Sequence, residues 1–500
     1  PFAMADTLPN PEFSLTTTNL TSGTTFSFKM SAKGSFSVDW GDGTVEIIDR
    51  TDTELTTYSH TYSSSGVYTI GMSGDATRYN SITDDTMSSS TVSAIAFDTD
   101  SKIYISTVNG SLGAIFPTLG TAISAQPRFY GSFSGCSNLT MVSGNLFDGV
   151  SGSVSNRFYE TFYNCSSLNS IPDNLFSNIT GGQGAFNSTF ANCTSLTTIP
   201  ENLFQSVTTA SPSQFNSTFK GCSSLTTIPS NLFSGVTGSA NYMFNGVFRG
   251  CSSLVTIPSG LFSGVSGTAQ YVFANAFREC SSLITIPPDL FGGSAGGVHA
   301  FEATFQDCTS LVTIPTGLFD NVHNGALAEF YYVFYGCSAL QNIPDKLFAN
   351  VTSLGSYQYG FAFQNCKSLT NIPENLFTES SISAGTYAFY QTFYGCSALQ
   401  AIPEKLFSRI TGRATQMFYG TFRGCSKITE IPENLFASLS GAASGMFIRT
   451  FDSCKGITSI PANLFSGVVG SATQMFYGTF EGCSKLTTIP ENLFSGVSGN

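Results

Sequence analysis

Met417-Phe418-Tyr419-Gly420-Thr421-Phe422-Arg423-Gly424-Cys425-Ser426-Lys427-Ile428-Thr429-Glu430-Ile431-Pro432-Glu433-Asn434-Leu435-Phe436 is one copy of a unit that starts near Phe129 and recurs to Asn500. All thirteen cysteines lie in this array, from Cys136 to Cys483, spaced 28, 29 or 30 residues apart. With each Cys as position 0, Phe stands at −3 in every copy and an aromatic at −7, always Phe except Tyr359. Leu or Ile follows at +3, Val142 or Ile at +6, Pro at +7 in all but the first copy, and Leu-Phe at +10 and +11.

Positions −7, −3 and 0 fall at i, i+4 and i+7, the stripe of one helix face, so a short helix is expected with Phe418, Phe422 and Cys425 inward. Gly before many of the cysteines would help to end it. Leu-x-x-Ile cannot carry a helix into Pro, which makes it a short strand entering a turn. From Phe176 to Phe186 is ten residues, from Phe204 to Phe215 eleven, from Phe377 to Phe389 twelve, while the Phe-to-Cys-to-Leu-Phe block keeps one length. Length changes are thus confined to one surface loop between stacked elements. Strands stack at roughly 4.8 Å and helices at roughly 8–10 Å, so the strand side should be concave, a strip on the order of 60 Å long. The expected fold is an α/β repeat solenoid, one short strand and one short helix per repeat of about 29 residues, after a small all-β sandwich.

Only 10% of residues are charged while Phe occurs 46 times, ample to bury a core. A net charge of −12 and a pI near 4.7 argue against nucleic acid and anionic membrane surfaces as partners. No run of eighteen apolar residues is present, so membrane insertion of this stretch is not expected. The chain starts at Pro1 and stops inside a repeat, which reads as a piece of something longer. Residues 1–12 look like a leader, and Ala3-Met4-Ala5 has the small-x-small pattern of a signal-peptidase site. Low charge and abundant Ser, Thr, Asn and Gly also point to export.

Residues 13–88 carry short runs alternating at period two, among them Thr25–Met30, Ser35–Trp40, Thr44–Ile48 and Val67–Met72, the pattern of a β-sandwich. Trp40, the only Trp, reads as core, and His60 as satisfied by a neighbouring strand. Asp39 and Asp42 are either weak calcium candidates or turn caps, with Asp42-Gly43 a hairpin turn. Val38-Asp39-Trp40-Gly41-Asp42-Gly43-Thr44, with Ser59-His60-Thr61-Tyr62 and Gly66-Val67-Tyr68-Thr69-Ile70, resembles the PKD-like domain of surface proteins. Residues 89–128 add runs at Val92–Phe97 and Lys102–Ile105. Leu112-Gly113-Ala114-Ile115-Phe116-Pro117 then reads as a degenerate Leu-x-x-Ile-Pro, with Asn109 in the place of Cys. This segment is expected to cap the 129–500 array.

Phe-x-x-Cys-x-x-Leu-x-x-Ile-Pro resembles the BspA-type leucine-rich repeat of bacterial surface proteins, found also in some parasitic protists. The resemblance implies a secreted or cell-surface protein used for adhesion, with matrix proteins, host surfaces or other microbes as partners. A self-associating stalk, surface-layer or filament subunit, or a viral or phage receptor-binding fibre, are the alternatives.

No catalytic constellation stands out, and neither enzyme activity nor a cofactor is expected. His299 and His323 have no partner at a recognisable spacing, and Glu201, Glu374, Glu404, Glu433 and Glu491 recur after Pro as a scaffold feature. The cysteines read as buried thiols acting as small hydrophobes, with disulfides between adjacent repeats as the rival. What remains is surface. Thr197, Thr198, Thr226, Thr227, Thr487 and Thr488 lie inside Leu-x-x-Ile, and Tyr159, Tyr163, Tyr335, Tyr394, Tyr419 and Tyr477 beside the buried Phe stripe. Either these residues decorate a solvated array or they contact a protein or glycan through many weak contacts.

Overall fold

The computed structural model describes residues 10–80, 93–97, 100–323, 325–377, 381–383 and 385–498. Ala3-Met4-Ala5, most of the leader and the first residue of the Val92–Phe97 run lie outside the described residues. The chain divides into two compact units, 1–237 and 238–500.

The first unit opens with strands β1 (Phe13–Thr17), β2 (Thr25–Met30), β3 (Lys33–Asp39), β4 (Val45–Arg50), β5 (Thr56–Thr61), β6 (Thr69–Arg78), β7 (Ile95–Ala96), β8 (Ile105–Gly110) and β9 (Met141–Val142). They form a six-stranded sheet in the order β4-β3-β6-β1-β8-β9 and a three-stranded sheet β5-β2-β7. The expected alternation holds: Phe26, Phe28 and Met30 of β2 and Phe36 and Val38 of β3 are buried, as is Trp40. β8 is the hinge of the architecture, antiparallel to β1 on one side and parallel to β9 of the first repeat on the other.

That pairing shifts the expected register of the cap. Thr107 and Val108 of β8 sit against Met141 and Val142, positions +5 and +6 of the first repeat, so Asn109 does not take the place of a Cys. Leu112-Gly113-Ala114-Ile115 is a one-turn helix, α1, capped by Ser111, whose Oγ accepts from Ala114 N at 3.0 Å. It lies beside the Leu146-Phe147 turn, with Gly113 N donating to Leu146 O.

The Phe-to-Cys segment is not an α-helix; α1 is the only α-helix among the described residues. In the repeat ending at Cys165, the amides of Tyr159, Thr161, Tyr163 and Cys165 each donate to the carbonyl three residues back. Those of Asn156, Phe158, Glu160, Phe162 and Asn164 donate to the next repeat, at Gln183, Ala185, Asn187, Thr189 and Ala191. From Phe158 to Cys165 every amide is paired, half within the turn and half along the stack. Such alternation requires a left-handed residue at every fourth place, here Asn156, Glu160 and Asn164, with φ of 54°, 54° and 58°. The same three places, −9, −5 and −1, have positive φ at Gln416, Gly420 and Gly424. Gly before Cys therefore serves a continuous ribbon of turns and not a helix end. The premise for curvature, helices spaced wider than strands, falls with the helix.

Phe at −7, −3 and +11 still points inward and forms three ladders of nearly parallel rings within each unit. In the first unit they run Phe129–Phe158–Phe186–Phe215, Phe133–Phe162–Phe190–Phe219 and Phe147–Phe176–Phe204–Phe233. Centroid spacings range from 5.4 Å at Phe133–Phe162 to 6.3 Å at Phe348–Phe377. Each such pair adds about 0.5–1.5 kcal/mol beyond the area it buries. The Leu-x-x-Ile leg is strand-like but thin: outside β9 it makes isolated parallel bridges such as Thr256↔Thr285 and Thr313↔Asn342. On the loop leg, two-strand parallel pairs recur, such as Gly152–Ser153 with Ile179–Gly181 and Ile382–Ser383 with Ile410–Thr411.

All thirteen cysteines are buried and none is in a disulfide. The thiol contacts share one form: Cys165 Sγ donates to Phe133 O and Cys425 Sγ to Phe393 O, at 3.2 and 3.1 Å. Thr at −4 does the same, as Thr421 Oγ1 to Phe389 O at 2.8 Å. Burial pushes the Cys222 and Cys396 thiols up to about 12, so they stay protonated and inert.

Candidate interaction surface

Asp39 and Asp42 sit at the β3–β4 turn. Asp39 Oδ1 accepts from Gly41 N at 2.9 Å and Asp42 Oδ1 from Thr44 N at 3.0 Å, so both carboxylates cap the turn. The other oxygen of Asp42 lies 2.7 Å from His60 Nε2, and the His60 ring stacks on Trp40 with centroids 5.2 Å apart. Calcium takes six to eight oxygen ligands, and this turn offers one uncommitted carboxylate oxygen, at Asp39. The residues present do not fit that ion.

The two other candidate sets fall on different legs of the repeat. Thr197, Thr198, Thr226, Thr227, Thr487 and Thr488 are exposed on the Leu-x-x-Ile leg. The six tyrosines lie on the turn ribbon, half-buried except for Tyr477, which is exposed. Tyr159 stacks on Tyr130 at 4.7 Å, and its neighbour Tyr163 stands at −2 without joining that stack. Tyr394 lies under the Arg423 guanidinium and Tyr477 under that of Arg449. Tyr335 and Tyr419 belong to something larger.

Four successive repeats of the second unit place half-buried aromatics in one connected ridge. Tyr332 stacks on Phe361 at 4.5 Å, Tyr357 on Tyr387 at 4.4 Å and Tyr390 on Tyr419 at 4.6 Å. Tyr331 stands edge-on to Tyr332, Tyr357 and Phe361, Phe361 meets Tyr390 at 5.1 Å, and Tyr335 touches Tyr332. No charged side chain takes part in these ring contacts.

Four ridge residues, Tyr332, Tyr357, Phe361 and Tyr387, have φ of 57° or 58°. They fill places that Gly, Asn or Ser fill in many other repeats, and a side chain there costs about 1–2 kcal/mol of backbone strain. Sequence reasoning reached Tyr335 and Tyr419 but passed over these four. On a helix −9 and −5 carry no special meaning; on the turn ribbon they are the left-handed places.

The other ionisable groups serve neighbouring repeats. His299 Nδ1 lies 2.7 Å from Glu302 Oε2 and its ring stacks on Tyr271. His323 contributes its carbonyl to Thr352. Glu404 and Glu433 accept from Asn434 and Asn463 one repeat on, and Glu374 pairs with Lys405 at 3.6 Å. Among the described residues no group of three or more His, Cys, Asp or Glu side chains could hold a metal, and no helix is long and apolar enough to cross a membrane.

Residues 301–438 and 330–498 match the family model of the BspA type leucine rich repeat region, in six copies. Over that stretch the repeats are similar to the BspA type. No curated protein and no solved structure matches the chain. The matched BspA-type stretch includes the whole ridge, from Tyr331 to Tyr419.

Proposed function

We propose that this chain is an extracellular interaction protein, secreted or held on a cell surface, that adheres to its partner through the aromatic ridge of residues 331–419. One observation carries the reading. Aromatic side chains occupy left-handed places where Gly, Asn and Ser cost the backbone less, and they are half-exposed there. Backbone strain that packing alone does not require points to selection for the surface it presents. BspA-type repeats are consistent with protein–protein contact or adhesion at a surface, and they support the same reading. In it, the repeats of each unit are turns of a leucine-rich-repeat-like solenoid, residues 13–88 form a PKD-like module and 89–128 a cap. The chain acts by binding and not by catalysis.

Arrays of matrix proteins, host-cell glycans and microbial surface extracts, probed with the full chain and with a Tyr332→Asn, Phe361→Asn, Tyr387→Asn variant, test this. Saturable capture that the variant loses supports adhesion through the ridge. Capture equal for both proteins removes the ridge from the account. No capture, with light scattering rising as concentration rises, replaces it with a self-associating structural protein.

A further inference from the structure

We infer that the ridge takes a proline-rich chain in the polyproline II conformation, its aromatic rings packing on pyrrolidine rings and its tyrosine hydroxyls donating to the peptide's carbonyl oxygens. This rests on the reading of the chain as an interaction protein and names the chemistry of the partner.

Three features select that partner. The first is the hydrogen-bonding inventory. Tyr331, Tyr332, Tyr335, Tyr357, Tyr387, Tyr390 and Tyr419 each carry a neutral hydroxyl with one proton to donate. The ridge thus offers neutral donors and asks for acceptors. A polyproline II chain has no internal hydrogen bonds, so its carbonyl oxygens all await donors. Burial holds the Tyr331 and Tyr357 hydroxyls above their ordinary range and pushes Tyr390 up to about 12, which keeps the protons in place at physiological pH.

The second is how the rings are set. In the three stacked pairs the planes lie within 5° to 11° of parallel, so one face of each ring is spent on its neighbour. A sugar stacks on an open aromatic face, and each of these pairs has one face fewer to offer per ring. Tyr331, by contrast, is set edge-on at 74° to Tyr332, 78° to Tyr357 and 82° to Phe361. Rings crossing at such angles present edges and faces side by side, the kind of aromatic surface on which proline-rich segments dock.

The third is spacing. Stacked ridge rings advance 4.4 to 4.6 Å per repeat, and Tyr331 and Tyr390 occupy the same place two repeats apart. Two such steps come to about 9 Å, the advance of one three-residue turn of polyproline II at about 3.1 Å per residue. A proline at every third position would therefore meet equivalent places on the ridge. No charged side chain is needed on either side, which matches a partner without charge.

The test is a calorimetric titration of the full chain with dodecaproline, with a Gly-Ser peptide of equal length and with a panel of neutral oligosaccharides. Saturable binding of dodecaproline and none of the Gly-Ser peptide is expected. A Tyr332→Asn, Phe361→Asn, Tyr390→Ser variant should weaken it at least tenfold, its melting temperature showing that the repeats remain folded. Lys455→Gln, at an exposed place outside the ridge, should leave it unchanged. Oligosaccharide binding without dodecaproline binding overturns this inference and leaves the adhesive reading standing. Dodecaproline binding that the ridge variant retains overturns it too, as does no binding of dodecaproline at all. The adhesive reading itself fails only on the protein and glycan arrays.

Discussion

At places −9, −5 and −1 the identity of one residue sets how much strain its turn stores. Phe361 has φ of 58°, where Asn is tolerated far better than a bulky side chain. Phe361→Asn should therefore melt within about 1 kcal/mol of the parent, since relieved strain offsets lost ring contacts, whereas Phe361→Val should melt clearly lower. Thermal denaturation of the two side by side decides it; equal losses would mean that the ring contacts dominate. Glu329 is a second residue with a disproportionate effect. It is wholly buried, accepts from Gly297 N at 2.8 Å and Gln358 Nε2 at 3.0 Å, and burial pushes its carboxyl up to about 8. The unfolded chain releases that proton near pH 4.3, so from there to about 8 the folded state holds a proton that the unfolded state lacks. Stability from this group is greatest at low pH and is lost as pH rises through that window. The urea midpoint should be lower at pH 9 than at pH 6, and Glu329→Gln should flatten the difference. The spacing of Phe and Cys revealed which side chains face inward, but the strain at Phe361 and the proton on Glu329 depend on backbone angle and depth, which residue types alone do not encode.

The turn ribbon shows why a sound periodicity argument can name the wrong element. Inward residues at i, i+4 and i+7 satisfy an α-helix and satisfy equally a ribbon that turns left-handed at every fourth residue. What separates them is the complementary set: Gly131, Gly135, Asn164, Asn192 and Asn365 recur at −5 or −1, and Gly and Asn are poor in helix interiors but ready for positive φ. In a helix the amides bond within the segment; here every other one bonds to the next repeat. One residue inserted between Phe418 and Cys425 would swap the two sets and leave a row of amides without acceptors. One residue inserted after Gly412, in the variable loop, keeps the alternation. The first insertion should unfold the repeats around it and the second should shift the melting temperature by a few degrees at most, read by circular dichroism. Equal tolerance of both would contradict the alternation.

Across the molecule, the thirteen thiols are an independent gauge of the packing. Every one is buried and outside any disulfide, and thiols such as Cys454 and Cys483 donate to a carbonyl one repeat earlier, at Phe422 and Phe451. Native protein should take up little maleimide, and denatured but unreduced protein about thirteen equivalents. About one equivalent after denaturation would mean disulfides between adjacent repeats. That the repeats exist and which side chains they bury was legible in the spacing of Phe, Cys and Leu-Phe. The ridge was not, because Tyr332, Phe361 and Tyr387 come together only once the chain is wound with four-residue turns. The alternation of amides also bears on how such a gene can change. Within each unit, a repeat offers its successor the same row of donors at the same places and receives the same row of carbonyls in return. Unequal crossing-over that duplicates or drops a whole unit recreates the junction it cuts, so array length can drift by one unit at a time while the register of every surviving neighbour stays intact.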